Sequence, residues 1–175
     1  MLMLANLDDA VRSFMLEEVD ADIRAGKLYL SPRLNTHGLA KYPELLKEAI
    51  RSHADDWLAN ALRGRCFNET ESRRTKNGTT QVRVPVTAAD TLAEGEFNRY
   101  YARGVCLKAI ANQIPSLTVY RAKEVTNPRP ESEQMIGRQI DPVALLDDLR
   151  THTGIDTALH LPPGPNSGLS VRITA

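Results

Sequence analysis

The sequence has few cysteines, few aromatic residues and no long apolar run. Its two cysteines, Cys66 and Cys106, lie far apart and cannot form the CxxC pairs of a zinc or thiol-redox site. We therefore expect a reducing, cytoplasmic setting in which both are core or bystander thiols. No stretch reaches the roughly 18 consecutive apolar residues that indicate a membrane span. Asp8 and Asp9 come too early for a secretory signal peptide, and we expect no membrane partner.

The motifs of common enzyme classes are also absent. The sequence has no GxSxG nucleophile elbow, no GxxxxGKS/T phosphate loop and no GxGxxG after a strand. Its histidines lack the HxH or HxxxH spacing of zinc ligands. We expect no metal site and no cofactor, and we assign no catalytic residue. Whether the protein is an enzyme stays open, although the pattern favours a non-catalytic protein. The four histidines are His37, His53, His152 and His160.

The net charge of zero hides an uneven distribution along the chain. Between residues 63 and 83, six Lys and Arg face two Asp and Glu, whereas residues 1–62 have seven basic against ten acidic residues. Residues 84–130 are also slightly basic, and residues 131–175 have three basic against six acidic residues. A basic middle of this kind usually faces something acidic. The candidates are a nucleic acid, an acidic protein surface and the chain's own flanks.

At 175 residues, with 42% apolar and 25% charged residues, the chain has the composition of one soluble globular domain. We divide that domain into a helical part at 1–62, a basic loop or hairpin at 63–83 and an α+β part at 84–175. The first helix follows a cap at Asp8 or Asp9 and ends at Gly26. Its apolar stripe at helical spacing consists of Val11, Phe14, Met15, Val19 and Ile23.

The rest of the helical part predicts one strand and two further helices. The segment 27–31, KLYLS, has the composition of a short strand. A second helix is predicted over 42–53 with Pro43 in its first turn, where a missing N–H is harmless. A third is predicted over 54–65, with Asp55 as a possible cap.

Beyond residue 63, strands and helices alternate irregularly. Residues 64–80 lose periodicity and contain the turn signal Asn77-Gly78. Residues 80–86 follow as a half-buried strand near a sheet edge. A long helix is predicted from Ala88 or Glu94 to Asn112, and a strand over 116–125.

The C-terminal quarter predicts an interrupted connector at 127–139 and a short helix over 141–150. Asp141 caps that helix, and Pro142 takes its first position. The proline- and glycine-rich 161–168 predicts an irregular loop before a strand at 169–174. This order predicts an α+β fold, with N-terminal helices followed by a small, mostly antiparallel sheet of three or four strands and a central buried helix at 88–112.

One side of the long helix carries Glu96, Arg99, Tyr100 and Arg103 at helical spacing. Because this helix is apolar most of the way round, it is expected to be buried, so its charges must find partners. One interpretation is an internal Glu–Arg network to which Tyr100 donates a hydrogen bond. A second is a two-arginine clamp for a carboxylate or phosphate, with Glu96 or Tyr100 as acid or base. A third is a surface helix whose aromatic side docks on a partner.

Neighbouring acidic residues recur in the predicted helices. We interpret them as solvated charges on exposed helix faces or at helix ends, with no role in a site. The pairs are Asp20 and Asp22, Asp55 and Asp56, and Asp147 and Asp148.

The basic segment 63–83 also supports two interpretations. It is either a flexible arm that contacts phosphates, with Tyr100 or Tyr101 available for base stacking, or a solvated hairpin tip. The Asn, Thr and Glu residues between the basic side chains lower the density of positive charge, which weakens the interpretation as a phosphate-contacting arm. Its basic side chains are Arg63, Arg65, Arg73, Arg74, Lys76 and Arg83.

From these patterns we expect a non-catalytic interaction or assembly subunit that self-associates, or binds a protein partner, through its basic middle and acidic flanks. A nucleic-acid-binding protein, or an accessory subunit of a nucleic-acid complex, is the first alternative. The second is a small enzyme or sensor that binds an anionic ligand through Arg99 and Arg103. The candidate anion- or nucleic-acid-binding residues are Arg73, Arg74, Lys76, Arg83, Arg99, Tyr100 and Arg103.

Overall fold

A computed structural model describes residues 1–76, 78–152 and 168–174. Two sequence predictions therefore fall wholly or partly outside the described residues: Asn77 of the turn and 161–167 of the proline-rich loop. The described elements run in the following order along the chain. They are α1 (Asp9–Arg24), α2 (Thr36–Ser52), α3 (Asp55–Leu62), β1 (Thr70–Thr75), β2 (Gly78–Arg83), α4 (Ala88–Ala111), β3 (Leu117–Arg121), α5 (Pro130–Met135), β4 (Gln139–Ile140), α6 (Pro142–Thr151) and β5 (Leu169–Arg172).

The α+β fold predicted from the sequence is confirmed, with α4 at its centre. This helix packs against α1, α3, α6 and β5, and most of its length is buried. The described strands form two separate antiparallel sheets. One is the β1–β2 hairpin, and the other is a three-stranded sheet in the order β4–β3–β5.

Local sequence signals determine where α1 and α6 begin. The side chain of Asp8 accepts a hydrogen bond from the Val11 amide, and Asp141 does the same for the amide of Ala144. Pro142 takes the first helical position of α6 as predicted. Each cap satisfies one of the amides that a helix start leaves unpaired.

The helix α2 begins six residues earlier than predicted. Asn35 caps it by accepting from the amide of Gly38, and the Asn35 side-chain amide donates to the carbonyls of Arg65 and Phe67. These tertiary contacts fix the start of the helix upstream, so Pro43 lies inside it. The sequence does not show the contacts with Arg65 and Phe67, which lie 30 and 32 residues away, but the Asn35–Gly38 cap is a local signal that sequence reasoning missed.

Three other local predictions need correction. Residues 27–31 form no strand and are irregular, and an isolated bridge between Leu34 and Phe67 follows. Asp55 does not cap α3, since its buried carboxylate accepts the amide of Leu2. The connector at 127–139 contains the short helix α5.

Both cysteines are buried, as expected for core thiols. Burial raises the pKa of the Cys106 thiol to about 12 and also raises the pKa of Cys66. A thiol held protonated is a poor nucleophile. Among the described helices, none is both long and apolar enough to cross a membrane.

Candidate functional site

The β1–β2 hairpin is the most exposed element that carries predicted site residues. Its strands pair in register from Thr70 opposite Arg83 to Thr75 opposite Gly78. Within the described part of the chain, the only side chains of the hairpin that are not exposed are Glu71 and Val82. We call β1 and β2 with their turn the basic hairpin.

The register places the basic side chains on both faces of the hairpin. Arg74 and Arg83 share one face with Ser72 and Gln81, because residues of a strand alternate between faces. Arg73 lies on the opposite face, and Lys76 lies in the turn. In the described ranges none of these four cations forms a salt bridge with a carboxylate. The sequence prediction of a basic hairpin is therefore matched by side chains that face solvent.

Glu71 anchors the hairpin to the body of the protein. Arg33, from the segment between α1 and α2, donates to Glu71 through Nε at 2.5 Å and Nη2 at 3.0 Å. These hydrogen bonds lower the pKa of Glu71, and the charges of Arg33 and Arg73 lower it further. One of the two acidic residues of 63–83 is thus already neutralised by a residue outside the segment.

The remaining predicted residues, Arg99, Tyr100 and Arg103, are buried on α4, where Tyr100 and Arg103 contact α1. The Arg103 side chain is 1% exposed and donates to two carboxylates of α1. Its Nε lies 2.6 Å from Glu18 Oε2, and its Nη1 lies 2.5 Å from Asp22 Oδ2. The buried arginine is therefore paired on both sides.

Tyr100 and Arg150 complete this arrangement. The Tyr100 hydroxyl donates to Asp22 Oδ2 at 2.8 Å. Arg150, at the end of α6, donates to Glu18 through Nε at 2.9 Å and also through Nη2. We call Glu18, Asp22, Tyr100, Arg103 and Arg150 the buried charge network. It joins α1, α4 and α6.

The pKa of Glu18 is lowered in this network. Burial opposes ionisation of the carboxyl group, but the hydrogen bond from Arg150 and the charge and hydrogen bond of Arg103 outweigh it. A carboxyl group with a lowered pKa stabilises the fold above its unfolded pKa of about 4.3, and this contribution is lost as the pH falls through the folded value.

Glu18→Gln is therefore expected to lower the free energy of unfolding at neutral pH by about 1–3 kcal/mol, because hydrogen bonds to a charged group are lost. The difference from the parent should begin to shrink as the pH falls below the unfolded pKa of about 4.3, and it should be lost once the pH is below the lowered folded pKa of Glu18, where both proteins carry a neutral side chain. Urea unfolding measured across this pH range tests the prediction. Glu17→Gln, on the exposed side of α1, is the control and should show no such pH-dependent gap. An equal effect of both variants would contradict it.

A second pair on the same helix involves Glu96 and Arg99. Arg99 Nε lies 3.3 Å from Glu96 Oε1, and Arg99 Nη1 donates to the carbonyl of His152 at 2.7 Å. Burial raises the pKa of Glu96, although Arg99 and Arg103 act against the shift. In the described structure, Glu96 Oε2 and the hydroxyl of Tyr42 are buried without a hydrogen-bond partner.

The geometry favours an internal network over a ligand clamp for Arg103, since α1 carboxylates already surround its guanidinium. A nucleic acid could not stack on Tyr100 or Tyr101, because both rings are buried in the core. The clamp interpretation of Arg99 and Arg103 stays a prediction.

Sequence reasoning missed the partners of Arg103. Asp22 was expected on an exposed face but is 6% exposed, and Glu18 is 4% exposed. A signal was present, since Val11, Met15, Glu18 and Asp22 are spaced by four, three and four residues along one helix face. Ile23, which we placed on the apolar stripe, is exposed.

A metal site in either region would need several His, Cys, Asp or Glu side chains close together. Among the described residues, no group of three or more His, Cys, Asp or Glu side chains is placed to hold a metal ion. Comparison with protein-family models, with curated proteins and with solved structures finds no match for this chain.

Proposed function

We propose that the protein is a non-catalytic interaction or assembly subunit that docks onto an acidic partner through the basic hairpin. The observation that carries the proposal is the exposure of Arg73, Arg74, Lys76 and Arg83 on a two-stranded element, with no carboxylate paired to them in the described residues. Each exposed cation remains available to a partner.

The stability of the hairpin supports a docking role. A two-stranded hairpin alone in water is marginally stable, and it gains stability when another surface covers it. Here the pairing of β1 with β2 and the Arg33–Glu71 salt bridge hold the hairpin. The described strands β3, β4 and β5 form a separate sheet and do not extend it. The face that carries Arg74 and Arg83 is thus available for contact, whereas Glu71 ties the opposite face to Arg33.

The distribution of charge supports the same proposal, but with fewer acidic residues available on the N-terminal flank than the sequence suggested. Part of the acidic N-terminal flank is used inside the molecule, because Glu18 and Asp22 pair with Arg103. The hairpin cations have no such internal partner in the described chain. A second copy of the protein would therefore have to offer its remaining exposed acidic residues to the hairpin.

The triple variant Arg73→Ala, Arg74→Ala and Lys76→Ala tests the proposal on a column of immobilised polyglutamate. The parent is expected to be retained at low salt and the variant to elute near the void, because three of four exposed hairpin charges are removed. Its thermal midpoint should stay close to the parent's, since these side chains contact solvent.

The same two proteins should be compared by light scattering. A multiple of 19.4 kDa that returns to the monomer mass in the variant would identify a second copy as the partner. Equal retention of parent and variant on the column would overturn the docking role of the hairpin.

A further inference from the structure

A groove beside the base of the hairpin collects further basic residues from separate parts of the chain. It has a volume of about 570 Å³ and lies between the first half of α2 and the end of α3. His37 and Lys41 line it from α2, and Arg63 and Arg65 line it from the segment after α3. We call it the basic groove.

The groove combines a cationic rim with a small apolar surface. Leu45 and Ala61 supply that surface. Gly64 turns the chain at the rim with φ +91°, a conformation that other residues rarely adopt. Arg63 and Arg65 directly flank Gly64 in the sequence, and both of their side chains are exposed.

The charges of the groove differ in how far they are already neutralised. Arg63 donates to Asp90 at 2.7 Å and to Asn60 at 2.5 Å. In the described part of the molecule, Lys41 and Arg65 have no carboxylate within salt-bridge distance. These two cations are therefore available to an anion in the groove.

The groove is close to the basic hairpin. Four residues separate Arg65 from Thr70, so five steps along the chain limit the distance between them to about 18 Å even if the chain is fully extended. Asn35 holds this connection in place through the carbonyls of Arg65 and Phe67. The groove therefore lies near the start of the hairpin.

We infer that the basic groove and the basic hairpin together bind the phosphodiester backbone of a nucleic acid. This inference rests on the proposed function, because it names the acidic partner. Over about 18 Å, duplex DNA presents roughly ten phosphate charges. The two regions could neutralise several of them at once.

The polar character of the region favours a nucleic acid over an acidic protein. Stable protein interfaces bury an apolar core with aromatic anchors. Between residues 70 and 83 the sequence has one aliphatic side chain, Val82, and it is half-buried. Interfaces with nucleic acids are more polar and more positive. A two-stranded β-ribbon also fits the major groove of duplex DNA.

The test is fluorescence anisotropy with a labelled DNA duplex and a labelled single strand of the same sequence, from about 50 to about 200 mM salt. For the duplex, each lost phosphate contact should flatten the dependence of log K on log salt by about 0.9. The double variant Lys41→Ala/Arg65→Ala and the double variant Arg74→Ala/Arg83→Ala should each flatten it by about 1.8. For the single strand the expected change is about 1.4.

The control double variant is Arg138→Ala/Arg172→Ala, which removes the same charge from exposed positions at the three-stranded sheet. It should leave the slope near that of the parent. A groove variant with the parent's slope would overturn the role of the groove. Absence of parent binding to either DNA, with polyglutamate retention intact, would overturn the inference and leave the proposed function standing. Absence of binding to DNA and polyglutamate alike would overturn both.

Discussion

Arg103→Met is expected to lower the free energy of unfolding by about 3–5 kcal/mol, which is the cost of removing one partner from a buried ion pair. Arg103 is 1% exposed and holds Glu18 and Asp22 in the interface between α1 and α4. Methionine has a similar length but no charge, so it fills much of the space and isolates the electrostatic effect. Chemical denaturation at neutral pH, followed by circular dichroism, measures the loss.

The control for this prediction is Lys108→Met on the same helix. Lys108 pairs with Asp8 at the surface, where the two side chains are 25% and 51% exposed. Solvent screens such a pair, and its loss should cost about 1 kcal/mol or less. If Arg103→Met proved no more harmful than Lys108→Met, the buried charge network would not be a determinant of stability.

The remaining partners of the two carboxylates shape the expected size of the effect. After Arg103→Met, Glu18 keeps Arg150 and Asp22 keeps the hydroxyl of Tyr100. Asp22 then lacks a paired cation in the described network, whereas Glu18 does not. Adding Asp22→Asn to Arg103→Met should therefore recover part of the lost stability. Recovery is the outcome that separates an uncompensated buried charge from simple loss of packing.

Gly104→Ala is expected to destabilise the protein by about 1–3 kcal/mol, because α1 and α4 cross too closely for a side chain at this position. A Cβ atom on residue 104 would lie 2.8 Å from the Val11 carbonyl oxygen and 2.9 Å from Met15 Cγ. The methionine can move, but the carbonyl belongs to helix backbone. Relief of the contact therefore requires the two helices to separate.

The matched control is Gly95→Ala in the same helix. A Cβ atom at Gly95 meets nothing within 4 Å, so the substitution should stabilise the protein by up to about 1 kcal/mol through helix propensity. Thermal unfolding of the two variants should thus give shifts of opposite sign. Two shifts of the same sign would contradict the close crossing of α1 and α4.

Local signals were sufficient for much of the fold. The caps at Asp8 and Asp141, the proline at 142 and the apolar spacing of α4 identified three helices near their observed ends. These signals act within four residues along the chain, and a sequence displays them directly. The β-branched and aromatic content of 116–125 likewise identified the region of β3.

Predictions failed where distant contacts outweighed local preference. The helix α2 starts at the cap from Asn35 to Gly38, and Asn35 is held there by residues 65 and 67, whereas a proline position alone suggested a later start. The segment 27–31 has strand composition but gains no neighbouring strand to pair with in the described structure. Strand propensity without a pairing partner leaves backbone groups unpaired, and the chain over 27–31 is irregular.

The sequence by itself determined that α4 is a buried helix with charges that require partners, and that a basic segment lies at 63–83. Only the tertiary structure decided which charges are satisfied. Arg103 meets carboxylates 81 and 85 residues away, and Arg150 meets Glu18 across 132 residues. The hairpin cations meet no carboxylate in the described chain. Burial makes an unpaired charge costly, and water makes an exposed one tolerable, so folding pairs the buried arginine and leaves the hairpin cations in solvent.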